Sequence, residues 1–123
     1  MPRLKPIGEQ VIVITGASSG IGLATAIAAG RAGARVVLAA RTREALMEAT
    51  DRVKQAGGEA MFVEADVARR ADVERIDEQA HARFGRIDTW VNDAGVMVFG
   101  AIGQVPEEDM RQLFEINFWG TVY

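Results

Sequence analysis

The segment Thr15-Gly16-Ala17-Ser18-Ser19-Gly20-Ile21-Gly22 constrains the fold more than any other, because of what flanks it. Ahead of it runs Gln10-Val11-Ile12-Val13-Ile14-Thr15, rich in β-branched residues and without polar alternation. Such a run reads as a strand buried on both faces, as in a parallel sheet. Behind it, Ile21, Ala24, Ala28 and Ala32 recur at helix spacing, and Gly33 supplies a stop. Strand, glycine-rich turn and helix in that order describe a phosphate-binding turn. Gly16 lets the chain leave the strand sharply, Gly20 lets backbone approach a pyrophosphate, and Gly22 lets the helix pack closely on the sheet. The helix N-terminus offers unpaired N–H groups and partial positive charge to phosphate, and Ser18 and Ser19 add hydroxyl donors. Residues Gly16, Ser18, Ser19, Gly20, Ile21 and Gly22 are therefore expected to hold the phosphates. A triphosphatase loop would need Gly-Lys-Ser/Thr, and this turn contains no lysine.

The same grammar repeats downstream. Residues 35–40, 59–64 and 87–92 read as further strands, and 43–56 and 69–84 as helices ended by Gly57-Gly58 and Gly85. Thr42 is the expected N-cap of the second helix. Residues 93–105 read as a loop. From Pro106 onward a helix is predicted, with Met110, Leu113, Phe114, Asn117, Phe118 and Thr121 along one face. A βαβαβαβ alternation with short connections implies an α/β, Rossmann-type, doubly wound parallel sheet. Right-handed crossovers give the order 3-2-1-4, with a crevice at the carboxyl ends of strands 1 and 4. The last helix lacks a stop signal, and strand 4 would be an uncovered apolar edge. Residues 1–123 are thus expected to form the first half of a larger doubly wound domain, and the open edge predicts self-association, with a homo-oligomer expected, or a bound partner that supplies the missing half.

Composition closes off other classes. The chain has no cysteine, so thiolate metal sites and disulfide frameworks are excluded. The single histidine, His81, leaves no His-rich metal site and no serine–histidine triad; no metal is expected. A net charge of -3 argues against nucleic acid as a partner. Residues 1–55 nevertheless carry a balance of +4 against -7 over residues 56–123, which suits an anionic small ligand in the first half. No stretch approaches ~18 apolar residues, so no membrane span is expected. The basic start Met1-Pro2-Arg3-Leu4-Lys5-Pro6 lacks the apolar segment of a signal peptide, and a cytoplasmic location is expected.

The sequence resembles the short-chain dehydrogenase/reductase family. Thr-Gly-x-x-x-Gly-x-Gly is matched at 15–22, and Asn92-Asp93-Ala94-Gly95 matches Asn-Asn-Ala-Gly with one departure, Asp93. Asp66-Val67 after the third strand and Asn117 in Ile116-Asn117-Phe118-Trp119-Gly120 complete four ordered matches. The resemblance implies that Asp66 accepts from the adenine amino group and that Val67 meets the ring through its backbone; the alternative for Asp66 is a helix N-cap. It implies that Ala94 and Gly95 admit the ribose and that Asn92 braces that side, unless Asn92 simply ends its strand. Asn117 would belong to a catalytic tetrad, holding a water that links its lysine to solvent; the alternative is an Asn satisfied by backbone at a helix kink. The other members, Ser and Tyr-x-x-x-Lys, are absent: Tyr123 is the sole tyrosine, and Ser18 and Ser19 are the sole serines.

Cofactor choice turns on Arg41. An acid at the end of strand 2 would hold the ribose 2′-hydroxyl of NAD, but Ala40 stands there, followed by Arg41. A guanidinium binds a 2′-phosphate through two parallel hydrogen bonds. NADP(H) is therefore the expected cofactor, with NAD(H) possible. The expected function is hydride transfer between nicotinamide and a small carbonyl or alcohol substrate. The competing reading is a dinucleotide-binding or interaction module without catalysis. A methyltransferase would want an acid where Ala40 stands.

Overall fold

A computed structural model describes residues 3–123. Met1 and Pro2, which open the basic start of the sequence, lie outside the described residues. Strands β1 (Val11–Thr15), β2 (Arg35–Ala40), β3 (Glu59–Glu64) and β4 (Thr89–Val91) form one parallel sheet in the order β3-β2-β1-β4, as predicted. Ile12 pairs with Val36 on one side and Thr89 on the other.

Both faces of the sheet are covered. Helices α1 (Gly20–Arg31) and α2 (Arg43–Gln55) lie on one face, where Ile12, Ile14, Val36 and Leu38 pack with Ala26, Ala29, Leu46 and Val53. Helix α3 (Arg70–Phe84) lies on the other, where Val11, Val13, Val37 and Ala39 pack with Ile76 and Ala80. Successive residues of a strand point to opposite faces. Because both faces are apolar, β1 and β2 need apolar residues on both faces, and the runs Val11–Ile14 and Val36–Ala40 follow. Burying each Val, Leu or Ile contributes about 1.5–3 kcal/mol before the entropy of ordering it is charged.

The strand predicted at 87–92 is shorter, only Thr89–Val91. Among the described residues its sole sheet neighbour is β1, and the ladder stops at Asp88 because a side chain takes the strand's place. The Val11 N–H donates to Asp88 Oδ2 at 2.9 Å, while the Asp88 N–H donates to the Val11 carbonyl at 2.9 Å. Lys5 Nζ and Arg86 Nε also donate to this carboxylate, at 2.8 and 2.9 Å. Ahead of β1, Ile7–Glu9 forms a 3₁₀ turn, and an Arg86 guanidinium N–H donates to the Glu9 carbonyl at 2.5 Å.

The helix predicted from Pro106 to the end is also corrected. Helix α4 (Glu107–Phe114) opens into a π-helical stretch over Glu115–Trp119, then a last helical turn over Gly120–Val122. Within the loop before it, Ile102–Gln104 forms a 3₁₀ turn. The wider π turn advances the helix face by about one residue. Ile116 and Gly120 are buried and Leu113 is half-buried, whereas Met110, Phe114 and Phe118 of the predicted stripe face outward. Gly120 packs so tightly on Val67 that a Cβ there would lie 2.8 Å from Val67 Cγ2. Thr42 precedes α2 in extended conformation, but its side chain makes no cap hydrogen bond.

Candidate functional site

Four turns at the carboxyl ends of the strands enclose a cleft of about 520 Å³. The glycine-rich turn after β1 forms its floor. Gly16 (φ +65°) and Gly20 (φ +56°) adopt left-handed conformations that other residues reach only at a cost. A Cβ at Gly16 would lie 2.8 Å from the Ala94 amide nitrogen, so this turn rests directly on the segment after β4. A Cβ at Gly20 would meet nothing within 4 Å, because the turn opens into the cleft there. At Gly22 the start of α1 packs closely on the chain leaving β1 and β4. A Cβ there would overlap the Gly16 carbonyl oxygen and sit 2.7 Å from Asp93 Oδ2. Ser19 precedes α1 in extended conformation with no cap hydrogen bond from its side chain, so its hydroxyl is not committed to the helix.

Thr15 joins the first turn to the fourth. Its Oγ1 accepts from the N–H groups of Asp93 and Ala94, both at 3.2 Å, and donates to the Val91 carbonyl at 3.5 Å. A hydroxyl has one donor and two acceptor sites, and all three are used. Thr15 is 2% exposed, so an apolar replacement would strand two N–H groups.

The second turn brings Ala40, Arg41 and Thr42 to the cleft. Arg41 is exposed and has no salt bridge among the described residues. The third turn brings Asp66 and Val67. Asp66 Oδ1 accepts from the Ala68 N–H at 2.9 Å, closing a local turn. The N-cap alternative for Asp66 does not hold, since Arg69 is the residue before α3. The Asp66 N–H donates to Asp72 Oδ2 at 2.8 Å, and Arg75 donates to Asp72 Oδ1 at 2.8 Å and to the Glu64 carbonyl at 2.6 Å. The Asp66 N–H, reinforced by Arg75, holds the Asp72 carboxyl below its ordinary pKa. Asp72 thereby fixes the turn that carries Asp66.

The fourth turn brings Ala94 and Gly95, together with Asp93 and Val96, which sequence reasoning did not select. Asn92 is not brought in: its Oδ1 accepts from Trp90 Nε1 at 3.0 Å, and it lines a separate cavity beside α3 with Trp90 and Tyr123. Asn117 also stands off the cleft, on the π-helical stretch, and is exposed. Its Nδ2 donates to the Val96 carbonyl and its Oδ1 accepts from the Val96 N–H, each at 2.8 Å. The side chain is thus satisfied by backbone, and it holds the cleft wall in place. Ten of the thirteen residues selected from sequence line the cleft; Gly22 lies behind it, and Asn92 and Asn117 lie outside. Thr15 belonged to the signature but showed no role there, and the only sign of Asp72 was an acid in the first turn of a helix. Among the described residues no group of His, Cys, Asp and Glu could hold a metal, and no helix is long and apolar enough to cross a membrane.

Residues 10–123 match the family described as short chain dehydrogenase. The chain belongs to that family. The chain is 56% identical over 121 residues to the uncharacterized oxidoreductase YxnA of Bacillus subtilis, covering 98% of this chain and 34% of that one. It is similar to a short-chain type dehydrogenase/reductase from Mycobacterium marinum, at 33% identity and a TM-score of 0.91, covering 97% of this chain and 48% of that one. It is also similar to L-sorbose reductase from Gluconobacter frateurii, whose crystal structure is a complex with NADPH and L-sorbose. That match has 35% identity and a TM-score of 0.87, and covers 92% of this chain and 43% of that one. The chain therefore spans between a third and a half of the length of these relatives.

Proposed function

We propose that residues 1–123 are the NAD(P)-binding half of an NADP(H)-dependent oxidoreductase acting on a small carbonyl or alcohol substrate. The observation that carries the reading is the end of β2, where Ala40 and then Arg41 line the cleft. Alanine offers the ribose hydroxyls nothing, and an unpaired guanidinium offers a 2′-phosphate a bidentate partner. The NADPH complex of the sorbose reductase supports the same choice. NAD(H) is the weaker ligand in this reading.

The residues fit a dinucleotide. The open space at Gly20 leaves room for a pyrophosphate against the N–H groups at the start of α1, beside Ser18, Ser19 and Ile21. Asp66 and Val67 would take the adenine, and Ala94 and Gly95 would leave room for the second ribose. When bound, the nicotinamide supplies or takes up the hydride. Asn117 is a positioning residue, holding Val96 at the nicotinamide side. Within these 123 residues no Tyr-x-x-x-Lys exists to move the proton, which favours a second reading, dinucleotide binding without catalysis.

Fluorescence titration of both cofactors tests the proposal. NADPH should bind more tightly than NADH, and Arg41→Ala should weaken NADPH by ~1–3 kcal/mol, the scale for losing a hydrogen bond to a charged group. A tighter NADH constant, or an unchanged NADPH constant in the variant, overturns the cofactor assignment.

A further inference from the structure

A second cavity, of about 650 Å³, adjoins the dinucleotide cleft, and Arg41, Ala65 and Asp66 line both. Its own walls include Arg43, Phe62, Arg69 and the Asp72–Arg75 pair. That pair is internally neutralised at 2.8 Å. Arg43 is different. Its guanidinium lies 5.2 Å from the centre of the Phe62 ring and has no salt bridge among the described residues. A ring fixes the position of a guanidinium while leaving its edge N–H donors free. Arg43 is also the first residue of α2, where a cation opposes the helix dipole, so helix stability does not explain it.

We infer that Arg43, held by Phe62, is a second specificity-determining residue that joins Arg41 on the ribose 2′-phosphate. The inference rests on the NADP(H) reading above.

The test uses the full-length protein, titrated with 2′-AMP and 5′-AMP and with NADPH and NADH. Arg43→Ala should weaken 2′-AMP and NADPH roughly tenfold and leave 5′-AMP and NADH unchanged. Phe62→Leu keeps an apolar side chain against the core but removes the ring, and should weaken 2′-AMP roughly threefold. A thermal melt of each variant separates loss of binding from loss of fold. If Arg41→Ala abolishes the preference for 2′-AMP and Arg43→Ala does not alter it, this inference fails and the cofactor reading stands. If the unaltered protein shows no preference for 2′-AMP, both fail.

Discussion

Two glycines of the turn after β1 make opposite demands on the space around them. Gly20 has open space where a side chain would stand, and Gly22 has none. Gly20→Val should therefore abolish dinucleotide binding by filling the pyrophosphate position, with some loss of stability from the positive φ of +56°. Circular dichroism should show the helices retained; normal binding by this variant would make the turn merely structural. Thr15→Val tests the neighbouring tie. It keeps the shape and removes the acceptor of the Asp93 and Ala94 N–H groups. A stability loss of about 1–3 kcal/mol in urea unfolding is expected, with weaker cofactor binding because the fourth turn loosens. Unchanged unfolding would show that water replaces the hydroxyl. At this scale the sequence was most legible where chemistry is local. Glycines in a strand–turn–helix setting announce themselves. Thr15, Asp72 and Asp88 are ordinary polar residues whose importance comes from partners elsewhere in the chain, up to 79 positions away for Thr15, and no nearby pattern marks them.

Among the elements, β4 is held at its start by polar contacts. It is three residues long, and the Asp88 carboxylate secures its start. The Lys5 ammonium and the Val11 N–H, with the Arg86 charge, pull the Asp88 pKa from near 3.8 to about 2. A depressed folded-state pKa means that the ionised form stabilises the fold. That contribution is complete above about pH 4 and fades as the pH falls toward 2. Asp88→Asn should shrink the stability difference between pH 6 and pH 2.5 in urea titrations; a difference as large as in the unaltered protein would remove Asp88 as its source. The strands and α1–α3 could be read because each carries a complete period of its own. The end of the chain could not, because the π turn at Glu115–Trp119 shifts the helix phase midway. A stripe counted at regular helical spacing then picks Met110, Phe114 and Phe118, which face outward, and misses Ile116, which is buried.

The whole molecule is closed on both sheet faces and open along β4. All three β4 residues are only half-buried, and Phe114 and Phe118 are 59% and 52% exposed. An unpaired strand edge beside exposed aromatics favours association. Light scattering of residues 1–123 over a concentration series should show a rising apparent mass, and a constant monomer mass would contradict the proposed homo-oligomer. The same chain should not oxidise NADPH against a panel of carbonyl compounds, because a missing catalytic acid–base typically costs 10²–10⁴-fold. Measurable turnover would show that its own residues supply the proton.

The pairing of β4 with β1 also has a consequence in time. The cleft needs turns from both ends of the chain, and the Val11–Asp88 contact that anchors β4 closes a span of 77 residues. The pairing of β1 with β2 closes a much shorter one, between Ile12 and Val36. Long spans cost more entropy to close, and non-local pairings slow folding. The phosphate turn and Arg41 can assemble around β1 and β2 while the wall from Asp93 to Val96 is still absent. Full cofactor affinity should therefore arrive late in refolding, making bound nucleotide a reporter of the last strand to dock.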